Sequence, residues 1–204
     1  SAQAGFSHEA IIEWDHDCCE TIRRNQVKGV PLVRDWPSPA EGDARAFDIG
    51  QLFKEPDLIA GGPPCQPFSL GGKHGGATDH RDMFPTAASF VRRLQPRAFI
   101  FENVKGLLRE SFSTYFEYTI LQLQYPEIAR KYNQTWVDHK GVLERHHTGK
   151  RHNHGLHYRV LFNLFNAADY GVPQRRERVF IVGFRSDVSI DWSFPAATHS
   201  FEGL

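Results

Sequence analysis

Asp57-Leu58-Ile59-Ala60 runs directly into Gly61-Gly62-Pro63-Pro64-Cys65-Gln66-Pro67-Phe68-Ser69, and this junction decides how the rest of the chain is read. The apolar residues predict a short strand. Pro63 and Pro64 restrict the backbone before Cys65 and Pro67 restricts it after, so the thiol belongs to a stiffened turn and not to the interior of a helix or strand. A strand that runs into such a turn delivers the following residues to the carboxyl edge of a sheet, where open α/β sheets bind ligands and carry out chemistry. Leu70-Gly71-Gly72-Lys73 then opens a glycine-rich segment. Glycines with interspersed basic residues suit a loop that tracks a phosphate backbone, and suit a mobile surface loop equally well.

Downstream, Phe84, Ala87, Ala88, Val91 and Leu94 recur at helical spacing, with Pro85 in the first turn and Gln95-Pro96 closing the helix. Ala98-Phe99-Ile100-Phe101 is continuously apolar, as expected of a parallel strand covered on both faces. Glu102-Asn103-Val104 follows at once, so a carboxylate stands at that strand's carboxyl end, either as a helix cap or as a functional group sharing an edge with Cys65. Phe112, Phe116, Ile120 and Leu123 mark another helix, stopped by Tyr125-Pro126. Residues 127–157 are polar and rich in histidine. No cysteine or carboxylate is interleaved there at zinc spacing, which favours a solvated basic segment over a metal site. Val160–Phe165 and Val179–Phe184 read as an antiparallel hairpin at the sheet's edge, and the turn between them carries Arg175, Arg176 and Arg178. Such arginines fork onto phosphates or a base carbonyl, or form a surface ion-pair cluster around Glu177.

Upstream, Ala10-Ile11-Ile12 predicts a strand, Glu13-Trp14-Asp15 an acidic turn, and Asp17 to Gln26 a helix. An acidic residue at a strand's end often takes a ribose hydroxyl, and a neighbouring tryptophan stacks on a purine. The competing reading makes Glu13 the helix cap and Trp14 half-buried core. Cys18 and Ile22, four apart, are expected to share the buried face of that helix, leaving both Cys18 and Cys19 as core. Gly42-Asp43 marks a turn after another strand. Asp43 or Asp48 either faces a ligand amine or caps a turn.

The chain has 204 residues, 40% hydrophobic and 24% charged, consistent with one globular domain. No apolar run reaches membrane-spanning length and no leader pattern is evident, so the expectation is a soluble cytoplasmic protein. With a formal net charge of +0, any basic footprint for nucleic acid must be local. Three cysteines, an odd number, argue against a disulfide framework and leave Cys65 as a candidate nucleophile. A cysteine hydrolase would need a histidine placed to activate the thiol, and the histidines cluster instead in the polar segment.

In this order, the block from Gly61 to Ser69, Glu102-Asn103-Val104 and Gln174-Arg175-Arg176-Glu177-Arg178 closely resemble the signature blocks of DNA (cytosine-5) methyltransferases of the bacterial restriction-modification type. Ala4-Gly5-Phe6 through Glu13-Trp14-Asp15 and Asn166 through Pro173 also look like that family. The resemblance implies a Rossmann-like α/β methyltransferase sheet, mostly parallel with an antiparallel hairpin edge. It implies Cys65 as the nucleophile toward carbon 6 of a flipped cytosine in double-stranded DNA, Glu102 as the group on ring nitrogen 3 and the exocyclic amine, and Arg176 and Arg178 as orienting and phosphate-contacting residues. S-adenosyl-L-methionine is the implied methyl donor, held by Glu13, Trp14, Asp43 (chosen over Asp48) and Pro63. Gln66, Ser69, Gly71 and Lys73 are implied on the DNA side, and no metal is implied.

The same resemblance sets expectations about extent. It makes residues 1–204 an incomplete catalytic domain with a polar insertion around 127–157. The first central strand with its glycine-rich cofactor block would lie before Ala4-Gly5-Phe6, and the target-recognition region beyond His199. A second polypeptide could supply them, and a cognate restriction enzyme would act in the same bacterial cytoplasm. The rival from another class is a non-catalytic or split fragment that binds partner, cofactor or DNA without turnover; binding alone has no need of Cys65, Glu102 and Arg176 together.

Overall fold

A computed structural model of the chain describes residues 2–52, 55–64, 82–149 and 155–199. The chain divides into two compact units, Ser1–Pro56 and Asp57–Leu204.

The first unit contains β1 (Ile12–Glu13), α1 (His16–Val27) and β2 (Ala40–Glu41), with β1 and β2 paired in parallel through Ile12–Ala40 and Glu13–Glu41. Asp15 caps α1 by accepting from the Cys18 backbone N–H at 2.8 Å, with Asp17 in the first turn and Arg24 in the last, as the helix dipole favours. Because α1 starts at His16, its inner face falls on Cys19, Ile22 and Gln26. Cys19 is fully buried and Cys18 is exposed. The expectation that both cysteines are core therefore holds for Cys19 alone; Cys18 stands exposed in the capped first turn beside Asp15.

The second unit is built on a four-stranded sheet of order β3 (Leu58–Gly61), β4 (Ala98–Val104), β6 (Glu177–Arg185), β5 (Tyr158–Asn166). β3 and β4 are parallel; β4 with β6, and β5 with β6, are antiparallel. The architecture is thus α/β with a mixed sheet and the hairpin at one edge. One face carries α2 (Phe84–Leu94) and α3 (Ser113–Gln124). Phe84 and Val91 of α2, Phe116 and Leu123 of α3, and Phe99, Phe101, Val179 and Ile181 of the sheet form the core there. On the other face the chain after β6 lays Trp192 against Phe184 and Phe194 against Phe165, each with ring centres 5.3 Å apart.

β4 departs from the expectation of even cover on both faces. Phe99 and Phe101 are buried while Ala98, Ile100 and Glu102 are only partly so. The helices cover one face alone, and strand alternation then separates the residues by parity. Gly183 opposes Phe99 on β6, and a Cβ there would lie 2.2 Å from the Phe99 ring, so the ring fills the space that glycine leaves.

The polar stretch after Tyr125 contains a helix not foreseen, α4 (Trp136–Thr148). Thr135 and Asp138 form a reciprocal capping box at its start, and Arg145, His146 and His147 occupy its last turn. His139 and Leu143, four apart, are its buried residues. Nε2 of His139 donates to the Ile128 carbonyl at 2.8 Å and Nδ1 accepts from the Tyr118 hydroxyl at 2.9 Å. Burial depresses the pKa of His139 and pushes the Tyr118 hydroxyl up to about 12. Among the described residues no helix is long and apolar enough to cross a membrane.

Candidate active site

The antiparallel register of β4 and β6 sets Glu102 opposite Phe180 and Val104 opposite Arg178, so Glu102 and Arg178 are diagonal neighbours on one face of the sheet. Arg178 Nε lies 2.7 Å from Glu102 Oε1, and Arg178 Nη1 donates to the Glu177 carbonyl at 2.8 Å. The Glu102 side chain keeps 36% of its exposure. A guanidinium thus fixes one carboxylate oxygen while the group stays open to a ligand. Glu102 caps nothing: the residue preceding the 3-10 turn Lys105–Leu108 is Val104. The strand end before Cys65 runs alongside, since a Cβ on Gly62 would stand 3.4 Å from Glu102 Oε2.

Asn103 points the other way and is only 3% exposed. Its Nδ2 donates to the Pro63 carbonyl at 3.1 Å and its Oδ1 accepts from the Val104 backbone N–H at 2.8 Å. One buried amide therefore ties the proline segment leading to Cys65 to the end of β4. Sequence reasoning named Asn103 within its block and gave it no role; the signal was strand alternation, which turns it inward wherever Glu102 faces out. Pro63 is described. Cys65, Gln66, Ser69, Gly71 and Lys73 lie outside the described residues.

The hairpin turn is pinned by Asn166, a second residue that sequence reasoning passed over. Its Oδ1 accepts from the backbone N–H of Arg176 at 3.1 Å, and the Ala167 N–H donates to the Arg176 carbonyl at 3.0 Å. The Arg176 side chain is exposed. Glu177 does form an ion pair, with Lys105 and not with the neighbouring arginines, at 2.7 and 2.9 Å from Nζ to its two oxygens. Between the turn after β4 and this hairpin turn is an open cleft of roughly 820 Å³, lined by Lys105, Arg109, Arg175, Arg176, Glu177 and Arg178 among others.

In the first unit, Trp14 is 72% exposed and Glu13 Oε1 accepts from the Asp15 backbone N–H at 2.8 Å, while Asp15 itself is the cap of α1. The alternative of a capping Glu13 and a core Trp14 is thereby excluded. The Gly42 N–H donates to the Glu13 carbonyl at 2.8 Å, which carries the chain from β2 past the end of β1 and brings Asp43 to the same carboxyl edge. Gly42 has φ +147°, a conformation that favours glycine. Asp43 caps the 3-10 turn Ala44–Ala46 and holds the Arg45 guanidinium, which draws its carboxyl below the usual carboxylate range. Asp48 caps the next turn through the Gly50 N–H at 2.9 Å. An exposed indole beside one carboxylate, with a second carboxylate at the same edge, is a donor set that suits a purine ribonucleoside. Among the described residues, no three or more His, Cys, Asp or Glu side chains are grouped to hold a metal ion.

Comparison with known proteins gives a consistent result. The family model described as C-5 cytosine-specific DNA methylase matches residues 1–134 and 143–202. The type II methyltransferase M.NgoMIV of Neisseria gonorrhoeae is 34% identical over 193 residues, 95% of this chain and 49% of its own. M.AquIA of Picosynechococcus is 36% identical over 204 residues, 96% of this chain and 69% of its own. A structure described as a prophage-encoded DNA modification methyltransferase (E. coli) superposes with TM-score 0.58 at 22% identity, over 94% of this chain and 44% of that one. The Entamoeba histolytica methyltransferase EhMeth gives TM-score 0.53 at 13% identity, over 94% and 48%. These structural likenesses establish a methyltransferase fold. The chain spans about half the length of M.NgoMIV, 49%.

Proposed function

Because the chain belongs to the C-5 cytosine-specific DNA methylase family, we propose that it methylates carbon 5 of cytosine in double-stranded DNA with S-adenosyl-L-methionine as donor. The observation that carries this reading is the Glu102–Arg178 ion pair at 2.7 Å, open to solvent and alongside the proline segment that leads to Cys65.

Carbons 5 and 6 of cytosine cannot be approached inside the base stack, so the base must leave the duplex. Cys65, as thiolate, adds to carbon 6, and the displaced electron pair develops along the ring toward nitrogen 3. Glu102 hydrogen-bonds nitrogen 3 and the exocyclic amine and supplies a proton as that charge builds, which makes carbon 5 an enamine-like nucleophile. Arg178 keeps the carboxylate in position, and Arg176 and Arg178 orient the base through its carbonyl and contact the neighbouring phosphate. S-adenosyl-L-methionine, when bound, supplies the methyl group and leaves S-adenosyl-L-homocysteine; Glu13, Trp14, Asp43 and Pro63 are the residues that would hold it. Carbon 5 then gives up its proton, the bond to Cys65 breaks, and the ring regains its aromatic form. Gln66, Ser69, Gly71 and Lys73 act on the DNA side of this pocket. Restriction-modification in a bacterial cytoplasm is the setting, with a cognate restriction enzyme in the same system.

The test is methyl transfer from labelled cofactor to cytosine-containing duplex, with Cys65→Ala as control, and covalent trapping on DNA carrying 5-fluorocytosine. Transfer and adduct that both depend on Cys65 support the reading. Transfer undiminished in Cys65→Ala refutes the nucleophile, and no transfer by the full-length protein refutes the activity.

A further inference from the structure

Beside the Glu102–Arg178 pair, the cleft between the turn after β4 and the hairpin turn is lined by five basic side chains and one acidic one. That acid, Glu177, has both oxygens on Lys105 and so is not free to neutralise the arginines. Arg178 is taken by Glu102. Among the described residues the side chains of Arg109 and Arg176 have no hydrogen-bonding or ionic partner, although the backbone of each is fixed. The Arg109 N–H donates to Gly106 O at 3.3 Å and its carbonyl accepts from Phe112 N at 2.9 Å. The Arg176 N–H and carbonyl are held by Asn166 and Ala167 at 3.1 and 3.0 Å. Two unpartnered guanidinium groups on anchored backbones thus line the same cleft, an arrangement that an anion between them would stabilise. A guanidinium fork matches the oxygens of a phosphate.

We propose that Arg109 and Arg176 clamp one backbone phosphate of the substrate DNA next to the flipped base, with the Lys105–Glu177 pair bracing the two walls of the cleft. The proposal rests on the methyltransferase reading and adds Arg109, from the turn after β4, to the DNA-contacting residues. The contact is independent of sequence: it positions the strand and does not read it.

The experiment measures binding of the full chain to a labelled random-sequence duplex of about 20 base pairs, between about 50 and 200 mM salt. Each lost phosphate contact lowers the slope of log affinity against log salt by about 0.9. Because Arg176 still holds the same phosphate, Arg109→Gln should lower the slope by a measurable part of this and Arg109→Gln with Arg176→Gln by about 0.9, so that the double variant loses roughly 3.5-fold less affinity over that range than the unsubstituted chain. Arg109→Lys, which keeps the charge, should retain the slope, and Arg109→Gln should match the unsubstituted chain in its thermal transition. An unchanged slope in Arg109→Gln overturns the proposal; if Cys65-dependent methyl transfer persists beside it, only the clamp is refuted. Binding that does not vary with salt even in the unsubstituted chain overturns the clamp directly, and absence of methyl transfer then separately refutes the reading beneath it. A slope lost in Arg109→Lys as fully as in Arg109→Gln also overturns it, since the role would then not be charge.

Discussion

Replacing Asn103 by aspartate changes little in size and inverts one hydrogen bond. The amide Nδ2 that donates to Pro63 O at 3.1 Å becomes an oxygen facing an oxygen, while Oδ1 can still accept from Val104 N. Loss of a buried hydrogen bond, with the carbonyl left unpaired, costs roughly 1–3 kcal/mol. At 3% exposure the new carboxylate is also poorly hydrated, so burial raises its pKa and adds to the cost wherever it is ionised. A total of about 2–4 kcal/mol corresponds to a fall in Tm of very roughly 5–15 °C for a chain of this size. Asn103→Ala removes both the donor to Pro63 O and the acceptor for Val104 N–H but buries no charge, so its Tm should fall by a similar amount without the dependence on pH. The pH dependence has a definite sign. The aspartate's folded pKa lies above its unfolded value, so the deficit is present above the folded pKa and shrinks as pH falls through it, where the protonated carboxyl can again donate to Pro63 O. Calorimetric melts at several pH values read all of this. The same variants should slow adduct formation on 5-fluorocytosine DNA, because the segment entering Cys65 has lost its tether. If Asn103→Asp melts within about 1 °C of the parent near neutral pH, the buried bond carries no weight and the positioning argument fails.

Two further outcomes follow from the packing. Gly183→Ala places a methyl 2.2 Å from a Phe99 ring that is fully buried and stacked on Phe101, so thermal melts should show roughly 1–3 kcal/mol of destabilisation, partly relieved by adding Phe99→Leu; an unchanged melt would mean the two residues do not meet. His139 is neutral between Tyr118 and Ile128 with its pKa depressed by burial, so its contribution is complete above about pH 6.5 and is lost as pH falls through the depressed value; Tm measured from about pH 7.5 to 5 should drop less steeply in His139→Gln than in the parent.

How much of this was legible in the sequence turns on whether the deciding information is local. The strands leading to Glu13, Gly61 and Glu102 were readable because each is an apolar run closed by a residue of a different kind, although β4 itself continues to Val104. The helix over residues 84–94 announced itself by its spacing and its prolines. α4 did not, because its core-facing side is Trp136, His139 and Leu143 and a count of polar residues hides it; the Thr135–Asp138 capping pair was the available sign. The partner choices were less legible still. Nothing local distinguishes Arg178 from Arg176. Only the register of β6 against β4 puts Arg178 beside Glu102 and leaves Arg176 projecting into the cleft.

The same register argument links the two consecutive residues at the end of β4. Because a strand alternates, Glu102 and Asn103 must face opposite sides of the sheet, and in this fold both sides are occupied by something relevant to Cys65. Glu102 meets Arg178 and the backbone of Gly62 on the open face, and Asn103 holds Pro63 from the buried face. A single strand end therefore presents the acid and anchors the backbone that carries the nucleophile, so a shift of β4 by one residue would lose both together. On this account Asn103 variants and Glu102 variants differ in kind. Loss of the acid should lower methyl transfer with the melt little changed, whereas loss of the amide should lower both in proportion. Proportional loss in Glu102→Gln as well would show that the ion pair with Arg178 holds the sheet's edge together, and the division of labour argued here would not stand.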